Sequence, residues 1–119
     1  MTPNDPCPFC NPSSPVLIVE NELAFAIRDK FPIRPLHTLV IPKRHAVDIF
    51  QTTAEVREAL HEIASKCRSA ILREHPEVGG FNFGSNVGQA AGQKIFHAHL
   101  HLIPRRTGDT PPPPARPND

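Results

Sequence analysis

Residues 97–103 read His-Ala-His-Leu-His-Leu-Ile, three histidines at every second position with apolar residues between them. In a β-strand successive side chains alternate faces, so this pattern predicts a strand with His97, His99 and His101 in a row on one side. Ala98, Leu100 and Leu102 then point to the other side, where they can pack on a core. The chain is thereby constrained to a sheet with unlike faces. Histidine fills strands poorly, whereas an imidazole near neutral pH can act as base, acid, nucleophile or metal ligand. The row therefore marks a site as well as a strand.

The rest of the chain reads as α+β. Val16–Val19 is a short apolar strand, and Asn21-Glu22 is a turn. Leu23–Arg28 alternates as a second strand, completing a hairpin. Pro32 and Pro35 break the next segment into a loop, and a third strand runs over His37–Ile41, stopped by Pro42. Thr52-x-x-Glu55 is a capping-box pattern opening a helix. Val56, Leu60, Ile63, Cys67 and Ile71 follow at helical spacing, and His75-Pro76 and Gly79-Gly80 end the helix. Phe81–Ser85 is a fourth strand, and Ile95–Pro104 is the histidine strand. The expected fold is a mostly antiparallel sheet of about five strands with one long helix packed on it. At 119 residues the chain is one domain, 1–106, followed by a Pro-rich tail, 107–119, that lacks apolar periodicity and is expected to be disordered.

Composition excludes several function classes. Net charge is +1, so no electrostatic case exists for a nucleic-acid polymer or an anionic membrane as partner. No apolar run is long enough to span a bilayer. Residues 1–6 are polar and unlike a signal peptide, and three cysteines argue against a disulfide framework. A cytoplasmic protein is expected.

Three readings of the histidine row compete: a surface strand, a metal site, and a nucleophile with supporting imidazoles. The preceding loop, Asn86-Val87-Gly88-Gln89-Ala90-Ala91-Gly92-Gln93, is rich in small residues and amides. Glycines allow close backbone approach, and N–H groups and amides can cradle an anionic oxygen. Lys94 and Arg105-Arg106 flank the row with positive charge. Together these features point to a phosphate-bearing substrate.

On the His97–Ile103 signature, Gly92-Gln93, Asn86, Leu39-Val40-Ile41-Pro42-Lys43-Arg44-His45 and Asp29, the chain resembles the histidine triad family of nucleotide hydrolases and transferases. The resemblance covers most of residues 7–106. It implies the HIT-like fold and a homodimer. It also implies hydrolysis at the α-phosphate of a nucleoside phosphoramidate or dinucleoside polyphosphate, a purine nucleotide being the usual substrate. The reaction would pass through a nucleotidyl-histidine, release a nucleoside monophosphate and require no catalytic metal. Carried onto this sequence, His99 is the nucleophile, His101 and His97 support it, and Gln93 contacts phosphate and orients water. Asn86 and Gly92 line the phosphate pocket, Asp29 binds the ribose hydroxyls, and Phe9, Ile27 and Leu39 wall the base, with core packing the rival reading for those three. Lys94 stands where well-studied branches carry Ser or Thr. An ammonium can stabilise a departing polyphosphate but cannot replace a hydroxyl in kind. A nucleotide-binding sensor with little catalysis, or a metalloenzyme using the row, are the alternatives.

Cys7-Pro8-Phe9-Cys10 supplies two thiol ligands, half of a structural zinc site. No helix start follows, which disfavours a thioredoxin-like redox pair. The resemblance implies a structural zinc completed by His45 and His97. Cys67 falls at a helical core position, His61 and His75 read as surface residues, and His37 reads as a packed strand histidine.

Overall fold

Period-2 and helical segments assemble here into one sheet covered by one helix. A computed structural model describes residues 7–10 and 17–110. The strands are β1 (Val19–Glu20), β2 (Ala24–Arg28), β3 (Thr38–Pro42), β4 (Gly80–Gly84) and β5 (Leu100–Arg105). They form an antiparallel sheet in the order β1-β2-β3-β5-β4. The central strand, β3, is buried at all five positions. The helix α1 spans Ala54–Glu74 and buries Val56, Leu60, Ile63, Ala64, Cys67 and Ile71 on one stripe.

Register sorts the residues by face. Ala26, Val40 and Leu100 align across β2, β3 and β5, and with Ala24 and Leu102 they meet the α1 stripe in the main core. Leu60 and Ile63 are fully enclosed there, each stabilising the fold by about 2 kcal/mol relative to exposure. The opposite parity aligns Ile27, Leu39 and His101 on the face away from the helix. That face carries a smaller buried cluster of Phe9, Phe25, Leu39 and Ile41.

The fold agrees with the sequence reading, with local differences that have physical reasons. The hairpin forms, and its turn is fixed by Asn21, whose Oδ1 accepts from the Leu23 and Ala24 amides (3.0 and 2.8 Å). Val16 lies outside the described residues. The helix cap is Thr53 rather than Thr52: the Val56 amide donates to Thr53 Oγ1 (3.2 Å). Thr52 instead closes a short 3-10 turn, Ile49–Gln51, its hydroxyl donating to the Ile49 carbonyl (2.6 Å). Regular pairing of the histidine strand begins only at Leu100, not at Ile95. Upstream, the Ala98 amide donates to the Ala46 carbonyl (2.7 Å), and the His99 carbonyl accepts from the Ser85 hydroxyl (2.7 Å). These partners replace a sheet ladder, while Ala98 and Leu102 stay buried as the alternation requires.

Within the expected tail, residues 107–110 form a turn held to the domain. The Arg106 amide donates to Asp109 Oδ2 (2.8 Å), and Arg34 Nη2 donates to the Asp109 carbonyl (2.9 Å). The proline run, 111–114, lies outside the described residues. No helix among the described residues is long and apolar enough to cross a membrane.

Candidate active site and metal centre

The three histidines of the row are sorted by the hydrogen bond each ring makes, because a carbonyl only accepts and a backbone N–H only donates. His97 Nε2 lies 2.8 Å from the Pro42 carbonyl, so Nε2 carries the proton and Nδ1 keeps its lone pair. His99 Nδ1 lies 2.7 Å from the His97 carbonyl, so Nδ1–H donates and the lone pair sits on Nε2. Two imidazoles two residues apart therefore present opposite nitrogens as bases.

The tautomer of His101 is set by a residue whose role the sequence reading missed. His37 is 2% exposed and follows Leu36, a non-glycine residue at φ 69° in the loop between β2 and β3. Its Nδ1 accepts from the Ile33 amide (3.1 Å), which forces its proton onto Nε2. That Nε2–H donates to His101 Nδ1 at 2.9 Å. His101 must then hold its own proton on Nε2, as a donor. The signal was present in parity: Leu39 pairs with His101, and His37 lies two residues from Leu39 on the same face. His37 is thus part of the network and not merely packing.

Burial keeps these rings neutral. Desolvation is the main force lowering the pKa of His37, His97 and His99 below the ordinary histidine value. Burial, with the neighbouring His99 and His37, brings His101 down to about 4. At neutral pH the face therefore offers an unprotonated Nε2 on His99 beside an N–H donor on His101, the two rings 5.0 Å apart. A nucleophile next to a neutral donor is the combination that attack on phosphorus needs.

His97 turns away from this pair toward the cysteines. Its Nδ1 lies 3.2 Å from Cys7 Sγ, 3.5 Å from Cys10 Sγ and 3.2 Å from His45 Nδ1, and Cys10 Sγ lies 3.2 Å from His45 Nδ1. All four ligand atoms fall within 4.8 Å of one another. A tetrahedral zinc with ordinary bond lengths separates sulfur and nitrogen ligands by about 3.3–3.8 Å, close to these spacings. The Cys10 amide donates to Cys7 Sγ (3.3 Å), which holds the turn that carries both sulfurs. The Pro42 carbonyl fixes the tautomer that frees His97 Nδ1, as outer partners of metal-bound histidines do. The donor set fits a structural zinc.

A second cluster, Asp29, His37 and His101, also brings ligand atoms within 4.8 Å. Here the tautomers oppose a metal. His37 Nε2, which lies 3.5 Å from Asp29 Oδ2, bears the proton that the Ile33 amide excludes from Nδ1. A ring nitrogen that carries hydrogen has no lone pair to give. This argues against a metal held in this cluster through His37.

The remaining predicted residues divide. Leu39 and Phe9 are buried core residues and Ile27 is half-buried against them, so packing describes the first two better than an open base wall. Asp29 is half-buried, and its Oδ1 accepts from the Phe31 amide (2.9 Å), leaving Oδ2 toward His37. Gln93 is 4% exposed and fully engaged inside the protein. Its Oε1 accepts from the Gly88 amide (2.9 Å), and its Nε2 donates to the Val47 and Ile95 carbonyls (2.7 and 3.0 Å). With both donor hydrogens used, Gln93 pins the loop and does not offer its amide to phosphate or water. Gly92 has φ +95°, and its amide donates to the Gln89 carbonyl (3.0 Å), so it supplies a left-handed turn rather than an anion donor. Asn86 and Lys94 are exposed on this loop, with Asn86 Nδ2 beside Gly92. The flanking cations turn elsewhere: Arg105 donates to Asn82 Oδ1 (2.6 Å), and Arg106 pairs with Glu77 (2.8 Å).

Comparisons with known proteins bear on the family and the fold of the chain. The model of the HIT domain matches residues 12–108. An uncharacterised 16.1 kDa HIT-like protein of Mycoplasma pneumoniae is 39% identical over 107 residues, covering 86% of this chain and 73% of the relative. A zinc-bound histidine triad family protein of Mycobacterium smegmatis superposes with TM-score 0.78 at 36% identity, covering 87% of this chain and 77% of that one. A HIT family hydrolase of Clostridium thermocellum superposes with TM-score 0.71 at 27% identity, covering 97% of this chain and 100% of that one.

Proposed function

The chain belongs to the histidine triad (HIT) family, and from that premise we propose that it is a nucleotide hydrolase working through a nucleotidyl-histidine. The observation that carries this reading is the pair of opposed functions on one face: the free Nε2 of His99 and the Nε2–H of His101. In the proposed reaction His99 Nε2 bonds to the α-phosphorus of a nucleoside phosphoramidate or dinucleoside polyphosphate. The bond from phosphorus to the leaving group breaks, and its electron pair departs with that group, which takes a proton from solvent when it is an amine. His101 donates to a non-bridging phosphate oxygen, and the His97 carbonyl holds the Nδ1 proton as the His99 ring becomes cationic. Water then attacks the phosphorus and gives a proton to solvent, and the Nε2–phosphorus bond breaks with its electron pair returning to the ring, which releases the nucleoside monophosphate and restores neutral His99. Asp29 is the proposed acceptor for ribose hydroxyls through Oδ2, with the exposed Asn86 and Lys94 near the polyphosphate.

The zinc reading comes from the donor geometry and from the zinc-bound relative of M. smegmatis. Cys7, Cys10, His45 and His97 would hold the ion, whose contribution is a cross-link between the N-terminal segment and the sheet. The proposed homodimer has an available edge strand in β4, where Phe83 is 48% exposed.

The test is hydrolysis of a fluorogenic adenosine phosphoramidate and of diadenosine tetraphosphate by wild type, His99→Ala and His99→Asn. Both variants are expected to bind nucleotide and lose turnover. Undiminished hydrolysis by either one removes His99 as the nucleophile. A second reading, a nucleotide-binding module with feeble catalysis, is favoured by Gln93 and Gly92, whose polar groups serve the loop. Absence of any covalent adduct in wild type, with nucleotide binding intact, would select it.

A further inference from the structure

We propose that Phe9 is a positioning residue for the nucleophile, through which the metal-binding turn at Cys7–Cys10 sets the orientation of the His99 ring. The proposal rests on the reading of His99 as nucleophile. Among the described residues the His99 ring has one hydrogen-bonded anchor, its Nδ1–H donating to the His97 carbonyl (2.7 Å). A single hydrogen bond fixes one vertex of a ring and leaves its plane to be set by whatever flanks it. His101 packs on the ring at 5.0 Å and 71°, and Phe9 packs on it at 5.3 Å and 77°. Phe9 also packs on the ligand histidine, His97, at 5.9 Å and 84°. One aromatic ring therefore touches both the proposed nucleophile and a proposed zinc ligand.

The place of Phe9 in the chain supplies the coupling. It lies between Cys7 and Cys10, which reach His97 and His45 respectively at 3.2 Å. Residues 7–10 form a turn with no strand pairing to the sheet. Among the described residues their hold on the domain is the cysteine–histidine cluster and the burial of Phe9 itself, which is 7% exposed against Phe25, Leu39 and Ile41. Releasing the cysteines frees the backbone that carries Phe9, and with it one flank of His99. Productive attack tolerates little displacement of the attacking atom, a misplacement of about 1 Å costing about 100-fold in rate.

The experiment compares wild type, Phe9→Ala and Phe9→Leu, each with zinc and after stripping by a strong chelator. Three quantities are read: zinc content, kcat and KM for a fluorogenic adenosine phosphoramidate, and the ¹⁵N–¹H ring spectrum of His99. Phe9→Ala is expected to keep zinc, to lose about ten- to 100-fold in kcat with KM within about threefold, and to broaden the His99 Nδ1–H signal. Phe9→Leu, which keeps apolar bulk, is expected within about threefold of wild type in kcat. Stripping should reproduce the kcat loss and the broadening in wild type, and add nothing in Phe9→Ala. A sharp, unshifted His99 signal in both Phe9→Ala and stripped wild type overturns the proposal, as does a stripping effect undiminished in Phe9→Ala. The ring spectrum decides even if wild type turns out not to hydrolyse the substrate, an outcome that would count against the hydrolase reading instead.

Discussion

Replacing His37 by Phe keeps a ring in a site that is 2% exposed and removes both of its polar functions. The Ile33 amide then loses its acceptor and His101 Nδ1 loses its donor. Ile33 is an exposed residue and His101 is half-buried, so water can serve both stranded groups, and the loss is that of ordinary hydrogen bonds, about 1 kcal/mol. That corresponds to roughly 5 °C in Tm for a domain of this size. The catalytic effect is separate. Without the His37 Nε2–H, His101 is free to carry its proton on Nδ1, which presents a lone pair to phosphate in place of a donor. A hydrogen bond to a charged group is worth about 1.5–3 kcal/mol, so kcat/KM is expected to fall by about tenfold, and by up to about 100-fold if the wrong tautomer dominates. Because His101 protonates only near pH 4, the deficit should hold a constant size from pH 8 to pH 5, and the tautomer itself is read from the ¹⁵N–¹H ring spectrum of His101. Its proton should sit on Nε2 in wild type and shift toward Nδ1 in His37→Phe. An Nε2–H signal unchanged in the variant would refute the tautomer argument and leave only a packing effect.

Four further outcomes follow from the same geometry. Wild-type kcat/KM should stay level from pH 8 down through pH 6.5, since burial holds the His99 pKa below the ordinary value; a fall centred at 6.5 in a pH–rate profile would contradict this. Stability should behave likewise. Between pH 6.5 and about 4 the unfolded chain binds a proton that folded His101 refuses, so stability is full above 6.5 and declines as pH falls, by about 3 kcal/mol at most, measured by urea unfolding. Gln93→Ala takes a partner from the Gly88 amide and from two carbonyls, three hydrogen bonds that water can replace only in part, and should cost about 1–3 kcal/mol by urea unfolding, with KM affected less than stability because the amide serves the loop. Thr53→Ala should cost about 1 kcal/mol through loss of the helix cap, a larger capping loss by thermal melting than any at Thr52.

What the sequence revealed and what it hid can be told from particular residues. Alternation at 97–103 placed His99 and His101 on one face and Ala98 and Leu102 on the other, because side-chain parity survives even where regular pairing fails. Helical spacing likewise found the α1 stripe from Val56 to Ile71. The cap was misplaced by one residue because Thr52 and Thr53 are chemically equivalent, and only the preceding turn decides which hydroxyl faces the helix. His37 was undervalued because its role depends on the register of β3 against β5 and on a backbone amide at Ile33, neither of which a motif encodes. Gln93 shows a related limit. A loop amide can face ligand or backbone, and burial against Val47 and Ile95 chose the backbone. The cysteine pair alone showed two ligands, and folding brought His45 and His97 to it from distant positions.

The most direct test of the account is to trap the intermediate. Wild-type protein mixed with an adenosine phosphoramidate, quenched within one turnover and digested at neutral or alkaline pH, should yield an adenylylated peptide by mass spectrometry. The modification should map to Nε2 of His99 and be absent from His99→Asn. An adduct on His97 or His101, or turnover with no adduct at any quench time, would contradict the account.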